Sequence, residues 1–303
     1  MPQSNRETRG GLVRKGTGMG KAKRTSSQGR NLLNGARAYL SGPMDFVASR
    51  AFEKEHGWRN RVGQFLHSLG VTVFDPWNKP PVKGFDMYGE ESVKSVETRA
   101  KWTFEEGRRG AVTRSRCAEA FWETLHVDLR MVDTSDFVVA YCPTNIYSVG
   151  TPHEVIVARQ QRKPVLFVSP PVVFPQLQEL RRRLQKDSEA LALLDGLVGA
   201  VPVKENVSGV PSLWYMPLIG SESFFDGFGF HQYRERFGWA SDTIYDEREA
   251  QRPPQRPLLG FLAEIADGNL PRKWDRRMKR FVPNDDWLLF EHSLKRRSMQ
   301  PVV

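Results

Sequence analysis

Short apolar runs alternate with helix-length stretches through the middle of this 303-residue chain, and that alternation restricts its fold more than any other feature. Residues 36–41 (ARAYLS) read as a buried strand stopped by Gly42 and Pro43. Trp58, Val62, Phe65, Leu66 and Leu69 then share one helical stripe, with Gly70 where a helix C-cap is expected. Residues 71–74 (VTVF) give a second strand, closed by Asp75 and Pro76. A helix over 113–133, a strand at 137–141 (FVVAY), a helix over 152–161 and a strand at 165–168 (VLFV) continue the series. This order predicts an α/β, doubly wound fold of flavodoxin-like or Rossmann-like type, with a mainly parallel sheet of about five strands covered on both faces. A helical region over 175–194 and a fifth strand near 213–218 complete a domain that spans residues 36–220.

Outside that rhythm the sequence changes character. Residues 77–110, rich in Pro, Gly and charge, exceed an ordinary connection and read as a functional lid or a local insertion with a short helix near 92–101. Residues 221–303 begin with aromatic, Gly-rich sequence, pass through a Pro-rich joint at 252–257, and carry two helices near 258–266 and 285–294. They read as a carboxy-terminal helical extension or lid packed on the main domain. Their basic cluster, Arg272, Lys273, Arg276, Arg277, Lys279 and Arg280, could meet phosphates, with a solvated helix face as the favoured reading.

The net charge of +10 is concentrated at the amino terminus, where residues 1–35 hold eight basic side chains against Glu7 alone. With little there to bury, this segment reads as a disordered basic tail. Nucleic acid is a possible partner for it through phosphate contacts, but a solvated leader is the favoured reading. Two cysteines, Cys117 and Cys142, without any C-x-x-C pairing, argue against a disulfide scaffold and against thiol-held zinc. No apolar stretch approaches the roughly 20 residues of a membrane helix, and the amino terminus lacks the apolar core of a signal peptide, so a cytoplasmic protein without membrane association is expected.

Ligands of open α/β sheets bind beyond the carboxyl ends of the strands, which directs attention to the loops after strands one, two and three. The first offers Tyr39 just inside the strand, then Gly42, Pro43 and Met44. Gly42 allows close approach of backbone to a ligand, or simply makes a tight turn. The third offers Ser148, Gly150 and Thr151 ahead of His153 and Glu154. With Thr151 as N-cap, Pro152 first in the helix and Glu154 at N3, the segment has the form of a capping box. The same position also holds a carboxylate ionised at the positive end of a helix, usable as nucleophile or base, and the residues alone leave both readings open. On the preceding helix Asp128 interrupts a stripe formed by Phe121, Leu125 and Val132. A buried carboxylate there is paired or protonated, and a raised pKa would suit a general acid. Glu154 ionised beside Asp128 protonated is the arrangement retaining glycosidic chemistry needs.

The runs AYLSGP at 38–43, DLRMVDTSDFVVAYCP at 128–143 and SVGTPHEVIVARQQRKPVLFV at 148–168 resemble the nucleoside 2-deoxyribosyltransferase superfamily, including its 2'-deoxynucleoside 5'-monophosphate N-glycosidase branch. The resemblance covers about residues 36–170. It implies Glu154 as the nucleophile at C1' of the sugar, Tyr39 as the hydroxyl that orients it and Asp128 as the acid near the leaving base. It further implies substrate contacts from Gly42, Pro43, Met44, Ser148, Gly150 and Thr151. Ser148 stands where the enzymes acting on free nucleosides have Asp and the monophosphate hydrolases have Ser, which points to nucleotides. Pro43 departs from the hydrolase pattern, which has a phosphate-binding Ser there.

The implied activity is cleavage of a nucleoside or nucleotide N-glycosidic bond, or deoxyribosyl transfer, by a retaining mechanism. Its partner is a nucleoside or nucleoside 5'-monophosphate, no cofactor or metal is expected, and a homo-oligomer is. The alternative is a non-catalytic nucleotide-binding or sensing module of the same fold in which Glu154 only caps its helix. A third reading makes the chain a nucleic-acid-binding protein driven by its basic ends.

Overall fold

The computed structural model describes residues 31–44, 47, 49–79, 97–200, 205–230, 233 and 256–298. Five strands form one parallel sheet in the order β2-β1-β3-β4-β5: β1 Arg37–Ser41, β2 Thr72–Phe74, β3 Phe137–Tyr141, β4 Val165–Val168 and β5 Phe224–Phe225. This is the flavodoxin-like order, with its switch point between β1 and β3. The helices are α1 Arg50–His56, α2 Trp58–Ser68, α3 Gly107–Thr134, α4 Gly150–Gln160, α5 Pro175–Leu184, α6 Ser188–Ala200, α7 Met216–Ile219, α8 Leu258–Ala266 and α9 Asp285–Ser298. Two antiparallel strands, β6 Arg272–Asp275 and β7 Arg280–Pro283, form a separate hairpin.

The period-two alternation of strand side chains divides the core between the two faces of the sheet. Ala38 and Leu40 of β1 join Phe137, Val139, Leu166, Val168 and Phe225 on one face, under Trp58, Val62, Phe65 and Leu66 of α2. On the other face Tyr39 joins Val138, Ala140, Val165 and Phe167, under Met131 and Val132 of α3 and Val155 and Ala158 of α4. Each fully buried large side chain contributes about 1.5–3 kcal/mol through burial. For function the consequence is positional. The alternation that sends Leu40 towards α2 sends Tyr39 towards α3 and α4.

Three expectations need correction. Residues 213–218 contain no strand: Met216–Ile219 is helical, and β5 lies at Phe224–Phe225. Pro217 has no N–H for a ladder, and Gly220, at φ +90, turns the chain so that Phe225 reaches the core. The helical region expected over 175–194 is present as two helices, with Asp187 accepting from the Ala190 N–H at 3.0 Å near the start of the second. Phe121 is not part of a buried stripe. Helix α3 begins at Gly107, and its middle carries Phe121 and Trp122 exposed, while Cys117 before them and Thr124, Asp128, Met131 and Val132 after them are buried. The basic cluster of residues 272–280 lies on the β6–β7 hairpin, not on a helix face. The carboxy-terminal helical extension is present and packs on the main domain: the segment after residue 220 supplies β5 to the sheet, and Leu258, Leu262, Trp287 and Phe290 of α8 and α9 share one core with α2 and the strands.

Half of the long segment 77–110, residues 80–96, lies outside the described residues, and the part of the expected short helix that is described, residues 97–101, is helical. Among the described residues, no helix is long and apolar enough to cross a membrane. Cys117 and Cys142 are both free thiols.

Candidate active site

Tyr39 and Ser41 sit two residues apart on β1 and therefore project to the same face, where α4 crosses the carboxyl ends of the strands. Both donate to one side chain. The Tyr39 hydroxyl donates to Glu154 Oε1 at 2.7 Å, and the Ser41 hydroxyl donates to Glu154 Oε2. All three residues are buried.

This geometry decides how α4 begins. The helix starts at Gly150 with Val149 before it, two residues earlier than the capping-box reading requires, and no side chain caps it. Thr151 is already inside the helix, its hydroxyl paired with that of Ser148 at 2.9 Å. Glu154 therefore lies more than one turn in and faces β1, so the capping reading of this residue is overturned.

Asp128, from the buried part of α3, stands close enough for its charge to act on Glu154 and Tyr39. Its carboxylate meets the ammonium of Lys79, which follows β2, at 2.7 Å, with the Lys79 side chain 1% exposed. Of the two arrangements open to a buried carboxylate there, Asp128 takes the paired one. The expectation that a helix terminus holds Glu154 ionised is corrected. Burial and then the Asp128 charge push the Glu154 carboxyl above the usual range, against the hydrogen bonds from Ser41 and Tyr39 and the Arg59 charge. Burial and the same two carboxylates push the Tyr39 hydroxyl well up, so it stays a donor.

Arg59 of α2 braces the loop after β1. Its guanidinium is buried and donates to the carbonyls of Leu40, Pro43 and Gly42 at 3.2, 3.1 and 2.6 Å. Gly42 is required by this packing. A Cβ there would lie 2.8 Å from Trp58 Cζ2 and 3.1 Å from Arg59 Nη2, so its bare Cα serves the helix behind it. Gly150 is different, with nothing within 4 Å of its Cβ direction.

No family model matches the chain, and no curated protein matches it. Seven solved chains do. One is a 2-deoxyribosyltransferase from the psychrotolerant bacterium Bacillus psychrosaccharolyticus, described as a biocatalyst for synthesis of antiviral and antitumoral nucleosides. Identity is 20%, the match covers 44% of this chain and 72% of that one, and the TM-score is 0.25. The fold assignment rests on the chain's own sheet order.

Of the residues singled out in the sequence, Tyr39, Asp128 and Glu154 come together in one buried cluster. Gly42, Pro43 and Met44 lie at the end of β1, and Ser148, Gly150 and Thr151 at the start of α4, on the same edge of the sheet. Ser41, Lys79 and Arg59 were missed. Ser41 had a signal, a hydroxyl ending an apolar strand two residues from Tyr39. Lys79 stands beside a long polar segment, and nothing nearby in sequence marks it as buried. Among the described residues, no group of three or more His, Cys, Asp or Glu is disposed to hold a metal. A cavity of about 520 Å³ lies at the opposite end of β1, lined by Asn31, Asn34, Glu291, Lys295 and Arg297 among others, and none of the cluster contributes to it.

Proposed function

We propose that this chain is an enzyme that breaks the N-glycosidic bond of a nucleoside or nucleoside 5'-monophosphate by a retaining double displacement. The observation that carries the reading is the orientation of Glu154, held by hydroxyls from Tyr39 and Ser41 instead of by its own main chain.

In the first step a Glu154 oxygen bonds to C1' of the sugar as the C1'–N bond breaks and its electron pair leaves with the base. Tyr39 and Ser41 fix the carboxylate in line. The departing base takes a proton through the Lys79–Asp128 pair, which keeps a transferable proton in a buried site. Water, or a second base, then attacks C1' and frees the carboxylate. With water as acceptor, the proton it releases restores the pair. Whether the sugar passes to water or to another base depends on which acceptor occupies the site. Ser148, Thr151 and Gly150 at the start of α4, with Gly42, Pro43 and Met44 opposite, hold the sugar and its 5'-phosphate, where helix N–H groups favour an anion.

The sensing alternative draws on the same contacts, because a carboxylate with both oxygens engaged is also a good fixed structural group. Chromatography of a panel of nucleosides and 5'-monophosphates, incubated with wild type and Glu154→Ala, separates the two. Free base from wild type alone, with ligand binding kept by the variant, supports the enzyme. Binding without base release by either protein supports the sensor.

A further inference from the structure

The β6–β7 hairpin departs from ordinary surface chemistry. Strand alternation places Lys273 and Val282 on its inner, partly buried side, and leaves Arg272, Trp274, Phe281 and Pro283 outside. Trp274 and Phe281 are cross-strand partners with ring centroids 5.2 Å apart in an edge-to-face arrangement. They are 47% and 53% exposed, in positions where a solvated ribbon would carry polar side chains. The same ribbon carries six cations, Arg272, Lys273, Arg276, Arg277, Lys279 and Arg280, all exposed except the partly buried Lys273. The acids nearby are committed elsewhere. Asp275 accepts the N–H groups of Arg277 and Met278, both at 2.8 Å, and so builds the turn. Asp285 pairs with Lys273 at 2.6 Å, and Glu222 accepts the Trp274 N–H at 3.3 Å. Lys279, at φ +48, completes a defined turn that presents Arg276, Arg277 and Met278 to solvent.

Exposed rings and guanidinium groups on one ribbon are two halves of a single recognition chemistry. Aromatic faces stack on unpaired bases, and arginines bind phosphates through paired N–H donors. A second copy of the chain is a poor occupant, since six cations would face six more. We propose that the β6–β7 hairpin is a binding surface for single-stranded nucleic acid, with Trp274 and Phe281 as the stacking platform and the surrounding arginines and lysines as the phosphate contacts. This surface is independent of the Glu154 cluster and stands whether or not that cluster is catalytic.

Fluorescence anisotropy of the full chain with a labelled oligothymidylate of about 20 nucleotides tests it. Wild type should bind, and binding should weaken steeply between about 50 and 200 mM salt. Trp274→Ala with Phe281→Ala, which leaves every charge in place, should weaken binding about tenfold or more. Arg276→Gln, Arg277→Gln and Lys279→Gln together should lower the slope of log K against log salt by about two. Both variants should melt like wild type, because these side chains point outward, and deletion of residues 1–30, which spares the buried Leu33, should leave hairpin-dependent binding in place. The proposal is overturned by any of four results: no strand binding by wild type, hairpin variants that bind as wild type does, a duplex of the same length bound as tightly as the strand, or phosphatidylserine vesicles that displace the strand while binding the same rings.

Discussion

At the scale of single residues, the Glu154 carboxylate is both oriented and destabilised. The folded protein binds the Glu154 proton more tightly than the unfolded chain does, because burial and Asp128 raise its pKa. The resulting loss of stability is therefore absent below the ordinary glutamate value, grows as pH rises through the folded value, and is fully present above it. Glu154→Gln should melt higher than wild type at neutral and alkaline pH, by on the order of 1 kcal/mol, with the difference vanishing in acid. The same substitution should lower base release by about 10³-fold or more. In wild type the acidic limb of the rate profile should lie above that of an ordinary glutamate, with the rate rising as the carboxylate ionises. Lys79 gives a second prediction. Lys79→Met leaves the buried Asp128 charge without its ammonium and should destabilise by about 3 kcal/mol, whereas Lys79→Arg keeps the charge and should recover most of that in thermal melts. Tyr39 and Glu154 were legible in the sequence as residue types at loop ends. Asp128 was legible only as an anomaly in a stripe, and its partner Lys79 was not, since an ion pair across 49 positions leaves no local trace.

At the scale of elements, the strands and most helices follow from periodicity, while the errors fall where two local signals compete. Thr151, Pro152 and Glu154 spell a capping box, yet α4 starts at Gly150, because burying Val155 and Ala158 against the sheet sets the helix phase and turns Glu154 inward. Tertiary packing overrides the local preference there. Residues 213–218 are apolar but short and contain Pro217, and periodicity could not separate a strand from one helical turn. The loop after β1 supplies its own test. Gly42→Ala forces Trp58 or Arg59 to move and should shift the loop that faces the site, reducing kcat, while Gly196→Ala, on a helix outside the site with open space at its Cβ position, leaves it nearly unchanged. Steady-state kinetics on the two variants, read beside their melting temperatures, distinguishes a displaced loop from a lost fold.

At the scale of the molecule, the carboxy-terminal part is structural as well as adjacent. Trp287 and Phe290 are 1% and 3% exposed against Phe137, and Phe225 of β5 closes the sheet. Trp287→Ala should cost about 3–5 kcal/mol, and a chain ended at residue 220 should fail to give a cooperative melt. The aromatic, Gly-rich composition beyond residue 220 concealed this, because its core residues are contributed by a two-residue strand and two separated helices. Trp102, Phe104 and Trp122 are 47%, 89% and 62% exposed along the approach to α3 and its middle, which supports the expected homo-oligomer as a proposal. Sedimentation should show the assembly, and Trp122→Glu should shift it towards monomer without lowering the helix signal. Fold, loop and cluster all converge on one atom of Glu154, and that is where the account is most exposed. Acid quenching during turnover, followed by peptide mass mapping, reads it directly. The account predicts a sugar-sized mass increase on the peptide that contains Glu154, absent in Glu154→Gln, whereas free base released with that peptide unmodified, or by the variant at the wild-type rate, contradicts it.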